Sequence, residues 1–151
     1  MAGLVAITAP CAFVSPGASV IIGLIAGVLV CLATFGLEKI RIDDPVGAVP
    51  VHLVNGIWGI VAVGLFANGN PASAGWNGVT SPVTGLFYGG SGQLMAQLFT
   101  VGAILVVACG LSLAFFKALS LLKILRSEPH DELVGLDIPE MVRQVTPMRI
   151  L

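Results

Sequence analysis

The chain has 151 residues, of which 56% are hydrophobic and 10% are charged, and its formal net charge is −1. Soluble domains carry roughly 25% charged residues, so the composition excludes a soluble domain, and no excess of Lys and Arg points to a nucleic-acid partner. The charges are confined, because none occurs in residues 1–37 or 45–116. Uncharged apolar stretches of about 20 residues match the bilayer core. We therefore predict an all-α polytopic membrane protein with about four helical segments, embedded in lipid.

The first two segments lie close together in the sequence. Residues 2–14 are apolar but too few to cross a bilayer alone. Residues 18–37 form one uninterrupted span, and Ser15 is a suitable N-cap for it. Gly23 and Gly27 give this span a face of small residues that another helix can approach closely.

The third segment is predicted at residues 45–66, after the charged loop at residues 38–44. Asp43 and Asp44 directly precede Pro45. A carboxylate at this position caps free backbone N–H groups and complements the positive end of the helix dipole. We therefore predict that both aspartates are helix caps.

The fourth segment is predicted at residues 92–122, about 45 Å of helix, which is longer than the bilayer core and so must tilt or project beyond it. Together the four segments make residues 1–122 a transmembrane region, followed by a polar tail at residues 123–151. Basic residues lie in the loop before the third segment and at the end of the fourth, whereas residues 67–91 have none. The positive-inside rule then predicts a cytoplasmic C-terminus.

The third segment contains a histidine in an otherwise uncharged run. On an α-helix His52, Asn55, Gly56 and Gly59 fall at positions i, i+3, i+4 and i+7, so they share one face. An ionisable side chain at bilayer depth suggests a functional site, and a neutral imidazole supplies one donor and one acceptor to a lumen. Two alternatives remain open: His52 bonds a neighbouring helix while the glycines are packing contacts, and Asn55 makes an interhelical hydrogen bond rather than lining a pore.

Three stretches carry a family resemblance: RIDDPVGAVPVHLVNGIWGIVAVGLF at residues 41–66, AGLVAITAPCAFVSPGASVIIGLIAG at residues 2–27 and GQLMAQLFTVGAI at residues 92–104. LRSEPHDELVGLD follows at residues 125–137. On these motifs the chain resembles the ammonium transporter (Amt/Mep/Rh) family up to about Asp137. The resemblance implies a fold of eleven spans in two inverted repeats, assembled as a homotrimer with one pore per subunit. This chain resembles the last four spans, the first cut short, and the cytoplasmic tail.

The resemblance also implies roles for particular residues. His52 matches the second of two pore histidines that share a hydrogen bond in the family, and the first is expected upstream of Met1. The implied substrate is ammonium or ammonia, crossing the plasma membrane along a path with His52, Asn55, Gly56 and Gly59. In the family the GLD segment of the tail contacts the neighbouring subunit, and PII-type regulatory proteins dock on that face. The segment is Gly135, Leu136 and Asp137 here, after which the ending departs from the usual one.

Two functions compete. The chain is the C-terminal part of a transporter, or it is a truncated, non-transporting paralogue that acts as an interaction or modulatory subunit or is a non-functional remnant. A lumen between inverted repeats needs both of them, so we expect that these residues alone do not conduct. An enzyme is not expected, because one histidine supplies neither a nucleophile with its base nor a metal cluster. No cofactor or metal is predicted, since the cysteines lie in separate apolar segments: Cys11, Cys31 and Cys109.

Overall fold

A computed structural model describes residues 1–70 and 81–126 of the chain. The described elements are α1 (Ala2–Thr8), α2 (Pro16–Lys39), a π-helix (Val49–Val54), α3 (Asn55–Phe66), a short 3-10 helix (Leu86–Tyr88) and α4 (Gly92–Leu121). Within these ranges no strand forms, and extended pairing is limited to one isolated antiparallel bridge between Asn68 and Thr84. The predicted all-α class is confirmed.

In the described part of the chain, three helical segments are long and apolar enough to cross a membrane: Pro16–Lys39, Val49–Phe66 and Gly92–Leu121. The second of these combines the π-helix with α3. With seven residues, α1 is too short to span, since a helix rises about 1.5 Å per residue. The chain is therefore a membrane-spanning protein, as its composition indicates.

The first helix is shorter than the segment predicted at residues 2–14. It ends at Thr8, and residues 9–13 form turns. Pro10 accounts for this end, because proline has no N–H and its ring clashes with the carbonyl four residues earlier in a helix. The turns leave the Phe13 carbonyl free to accept a hydrogen bond from the Asn68 N–H at 2.9 Å. This bond links the segment after α1 to the end of α3.

The second helix begins at Pro16 and ends at Lys39, two residues beyond the predicted span at each end. The Ser15 hydroxyl accepts a hydrogen bond from the Ala18 N–H at 3.3 Å, so Ser15 is the N-cap that the sequence predicts. The last turn is followed by Arg41 in a left-handed conformation, with φ of 59°. That conformation directs the chain out of the helix.

The described chain divides into two units, Met1–Ile104 and Leu105–Leu151. In the first, the core contains small and branched side chains of α1, α2 and α3: Ala6, Ile22, Ala26 and Ala62, with Ile7, Val14, Trp58 and Phe66 packed around them. In the second, the described residues continue α4, where Phe115 and Phe116 make an edge-to-face contact with centroids 5.5 Å apart. No residue of α4 is buried.

Candidate functional site

The predicted third segment at residues 45–66 does not begin as a regular α-helix. Residues 45 and 46 form a turn, and the segment Val49–Val54 is a π-helix. A π-helix has a wider turn than an α-helix and occurs mostly as a single-turn insertion, frequently at functional sites. His52 lies inside this wide turn.

Asp44 holds the start of the π-helix. Its two carboxylate oxygens accept hydrogen bonds from the backbone N–H groups of Ala48 and Val49, each at 2.8 Å. A carboxylate at the N-terminal end of a helix also complements the helix dipole. Asp43 is exposed, and within residues 1–70 and 81–126 no backbone N–H bonds its carboxylate. The two aspartates predicted as caps are therefore not equivalent.

Asn55, the first residue of α3, is completely buried. Its side-chain Nδ2 donates to the Pro50 carbonyl at 2.8 Å, and its backbone N–H donates to the His52 carbonyl. Among the residues that the structure describes, its Oδ1 has no hydrogen-bond partner. A buried acceptor without a donor costs about 1–3 kcal/mol, so an amide here needs a compensating interaction. The bond that the side chain makes stays within its own segment and is not interhelical.

The two glycines of the predicted path differ in their surroundings. A Cβ atom built on Gly56 would meet nothing within 4 Å, whereas one built on Gly59 would lie 2.6 Å from the Ala6 carbonyl oxygen. Gly59 is buried and lets the backbone of α1 approach α3 closely. Gly56 is half-buried and leaves open space beside it.

The expectation that His52, Asn55, Gly56 and Gly59 share one helix face therefore differs from the structure. His52 is exposed and Gly56 borders open space, whereas Asn55 and Gly59 are packed inside. The wide turn accounts for the separate position of His52, because spacings of three, four and seven residues share a face only in a continuous α-helix. Asn55, Gly56 and Gly59 all lie in α3, and their surroundings differ because the backbone of α1 packs against Gly59 and not against Gly56. The residue that indicates this wide turn in the sequence is Pro50, which has no backbone N–H and lies inside the predicted span.

Trp58 has a structural role that the sequence does not specify. Its indole Nε1 donates to the Ile22 carbonyl at 3.1 Å, which ties α3 to the N-terminal third of α2. Its ring meets Phe66 edge-to-face at 6.5 Å, and Phe66 meets Phe87 in the same way at 5.0 Å. These contacts connect the span that carries His52 to its neighbours in the first unit.

Over residues 1–70 and 81–126 no three His, Cys, Asp or Glu side chains come together as a metal site. The three cysteines are exposed and unpaired with one another. The predicted regulatory residues Gly135, Leu136 and Asp137 lie outside the described residues. The candidate site is therefore an exposed imidazole on a wide helical turn, and the neutral form of an imidazole has one hydrogen-bond donor and one acceptor.

Known proteins resemble this chain over nearly its whole length. The model of the Ammonium Transporter Family matches residues 1–145, which extends past Asp137, where we expected the resemblance to end. Ammonium transporter Amt2 of Archaeoglobus fulgidus is 46% identical over 141 residues, covering 93% of this chain. The ammonium transporter of Bacillus subtilis is 37% identical over 91% of the chain. Ammonium transporter 1 member 1 of Solanum lycopersicum is 34% identical, also over 91%.

The alignments cover much less of the relatives themselves. They include 30% of the Archaeoglobus protein, 33% of the Bacillus protein and 28% of the tomato protein. The chain thus spans about a third of the length of the curated relatives that it matches. Because the family model matches most of its residues, the chain belongs to the ammonium transporter family.

Proposed function

We propose that this chain is part of a transporter that moves ammonium or ammonia across the plasma membrane, with its C-terminus in the cytoplasm. The observation that carries the proposal is the exposed position of His52 within an 18-residue candidate span of a member of this family. An ionisable group within a membrane span is costly unless it faces a lumen or a partner. We infer that His52 lines the path of the substrate.

The imidazole suits this task because its neutral form has one N–H donor and one acceptor nitrogen. It can accept a hydrogen bond from an ammonia N–H, or donate one to the ammonia nitrogen. The open space beside Gly56, one helical turn after His52, is compatible with such a path. In this proposal a second imidazole, supplied by the rest of the transporter, completes a hydrogen-bonded pair with His52.

The other partners of the transporter belong to the same proposal. A homotrimer accounts for some of the apolar surface, and a PII-type protein is the proposed regulator, with Gly135, Leu136 and Asp137 as the docking segment of the tail. The alternative is a modulatory subunit or a non-functional remnant. No residue of α4 is buried among the described residues, which both alternatives explain, because the helix needs lipid or other protein segments around it.

Uptake of labelled methylammonium tests the proposal. The gene product that contains residues 1–151 is expressed in a host without other ammonium transporters. His52→Ala should lower uptake strongly, whereas Leu53→Ala should leave it near the wild-type rate. Leu53 is the matched control, because it adjoins His52 in the same turn and is 43% exposed. Equal uptake by the His52→Ala variant and the wild type would contradict a role for His52, and equal loss in both variants would show a general disturbance of the turn.

A further inference from the structure

The wide turn that carries His52 is closed by two donors of a single residue. Asn55 donates its backbone N–H to the His52 carbonyl and its side-chain Nδ2 to the Pro50 carbonyl, the latter at 2.8 Å. The acceptors lie three and five residues before Asn55, so the two bonds together bracket the turn. Both bonds are made by a residue that is itself buried.

The chemistry of Asn55 indicates why an amide is present. Its Oδ1 has no partner among the residues described by the structure, and burial of such an oxygen is unfavourable. An apolar side chain of similar size would avoid that cost. What an apolar side chain cannot do is donate to the Pro50 carbonyl. The hydrogen bond across the wide turn is thus the interaction that accounts for the amide.

We propose that Asn55 is a positioning residue, which holds the Val49–Val54 turn so that His52 points out of the packed helices. Asn55 does not contact the substrate; it acts through the backbone of Pro50 and His52. The consequence for transport rests on the proposed function, whereas the effect on the turn does not. This role differs from pore lining, because the side chain is enclosed by the core of the first unit.

Two substitutions remove the bond to the Pro50 carbonyl in different ways. Asn55→Leu keeps the approximate volume and removes all polar atoms. Asn55→Ser is small and polar, and serine hydroxyls bond carbonyls three or four residues back rather than five. Val63→Ala is the control, since Val63 is equally enclosed in α3, with 5% exposure, but does not bond the turn. An effect shared by Asn55→Leu and Asn55→Ser identifies the lost bond to the Pro50 carbonyl as its cause. If Asn55→Leu does not fold, the result for Asn55→Ser is sufficient to test the inference.

The measurement uses the full chain in lipid bilayers with His130→Gln, which leaves His52 as its sole histidine. Amide hydrogen exchange at residues 51–55 should accelerate about tenfold in both Asn55 variants, which corresponds to about 1.4 kcal/mol. The ¹⁵N resonances of the His52 imidazole should broaden or split. Val63→Ala should change neither. Unchanged exchange and resonances in Asn55→Ser, or equal changes in Val63→Ala, would overturn the inference.

Methylammonium uptake separates this inference from the proposed function. Asn55→Ser should lower uptake, and the double variant with His52→Ala should be no worse than His52→Ala alone, because Asn55 acts through His52. A further loss in the double variant would assign Asn55 a separate structural role and overturn the inference. If His52→Ala leaves uptake unchanged, the proposed function fails while the exchange result still stands.

Discussion

At the scale of single residues, two glycines of α3, Gly56 and Gly59, have opposite surroundings. A Cβ on Gly59 would lie 2.6 Å from the carbonyl oxygen of Ala6 and 3.3 Å from its Cα, so backbone and not a flexible side chain opposes it. A Cβ on Gly56 would meet nothing within 4 Å. One glycine is required for helix packing, and the other is a place where α3 borders open space.

The glycines give a matched pair of substitutions. We expect Gly59→Ala to destabilise the chain by about 1–3 kcal/mol, because overpacking forces the α1 backbone away. Gly56→Ala should leave stability unchanged or raise it by up to about 1 kcal/mol, since alanine favours helix more than glycine does. Thermal unfolding of the detergent-solubilised chain measures both. Equal stability of the two variants would contradict the close approach of α1 and α3.

At the scale of elements, the span that carries His52 combines a π-helix with an α-helix, and it is held at three points. Asp44 bonds its first N–H groups, Asn55 bonds across its wide turn, and Trp58 ties it to α2. The last of these bonds joins residues 36 positions apart. We infer that the local bonds before and after His52 hold the wide turn that carries it, while the long-range bond joins α3 to α2.

The start of this span can be weakened selectively. Asp44→Ala removes two acceptors from the Ala48 and Val49 N–H groups and should cost about 1 kcal/mol, as loss of a helix cap typically does. Hydrogen exchange of these two amides should accelerate by roughly fivefold or more, since RT is about 0.6 kcal/mol. Asp43→Ala, at the exposed neighbour, should not change their exchange. Faster exchange in both variants would mean that the two aspartates act together as caps.

The tie to α2 is tested by Trp58→Phe, which keeps an aromatic ring but removes the indole N–H. We expect a loss of about 0.5–1.5 kcal/mol, the net contribution of one hydrogen bond. Phe66→Leu is the comparison variant, because it removes ring contacts but keeps the indole N–H that donates to Ile22. The distinguishing readout is the carbonyl stretch of ¹³C-labelled Ile22, which should shift in Trp58→Phe alone. An unshifted band would contradict the bond.

Sequence patterns predict these elements to different degrees. Hydropathy and length are sufficient for the three spans, because a bilayer sets both, and Ser15 was recognisable as a cap from its position. The early end of α1 at Thr8 was not predicted, because apolar composition alone does not show that Pro10 ends the helix. The wide turn at Pro50 was not predicted, because helical spacing assumes 3.6 residues per turn throughout. The burial of Asn55 depends on that turn. Its role was therefore not accessible from spacing alone.

At the scale of the whole molecule, the apolar surface exceeds what the described helices bury among themselves. α2 and α4 expose large side chains along their length, among them Leu24, Leu32, Phe99 and Leu111. In a membrane protein such side chains face lipid or other spans, and the chain matches about a third of the length of its relatives. We infer that the exposed side of His52 faces a substrate path completed by further protein, whereas the exposed face of α4 at Leu111 meets lipid or another apolar span.

Thiol accessibility tests whether the side chain at position 52 faces the substrate path. His52→Cys and Leu111→Cys are placed in a background with Cys11, Cys31 and Cys109 replaced by serine, and the gene product is reconstituted in sealed proteoliposomes. A small cationic methanethiosulfonate reagent should modify Cys at position 52, and added ammonium should slow that reaction, while position 111 stays unreactive. Modification at 111 as fast as at 52, or no reaction at 52 in folded protein, would contradict the account that His52 lines the ammonium path.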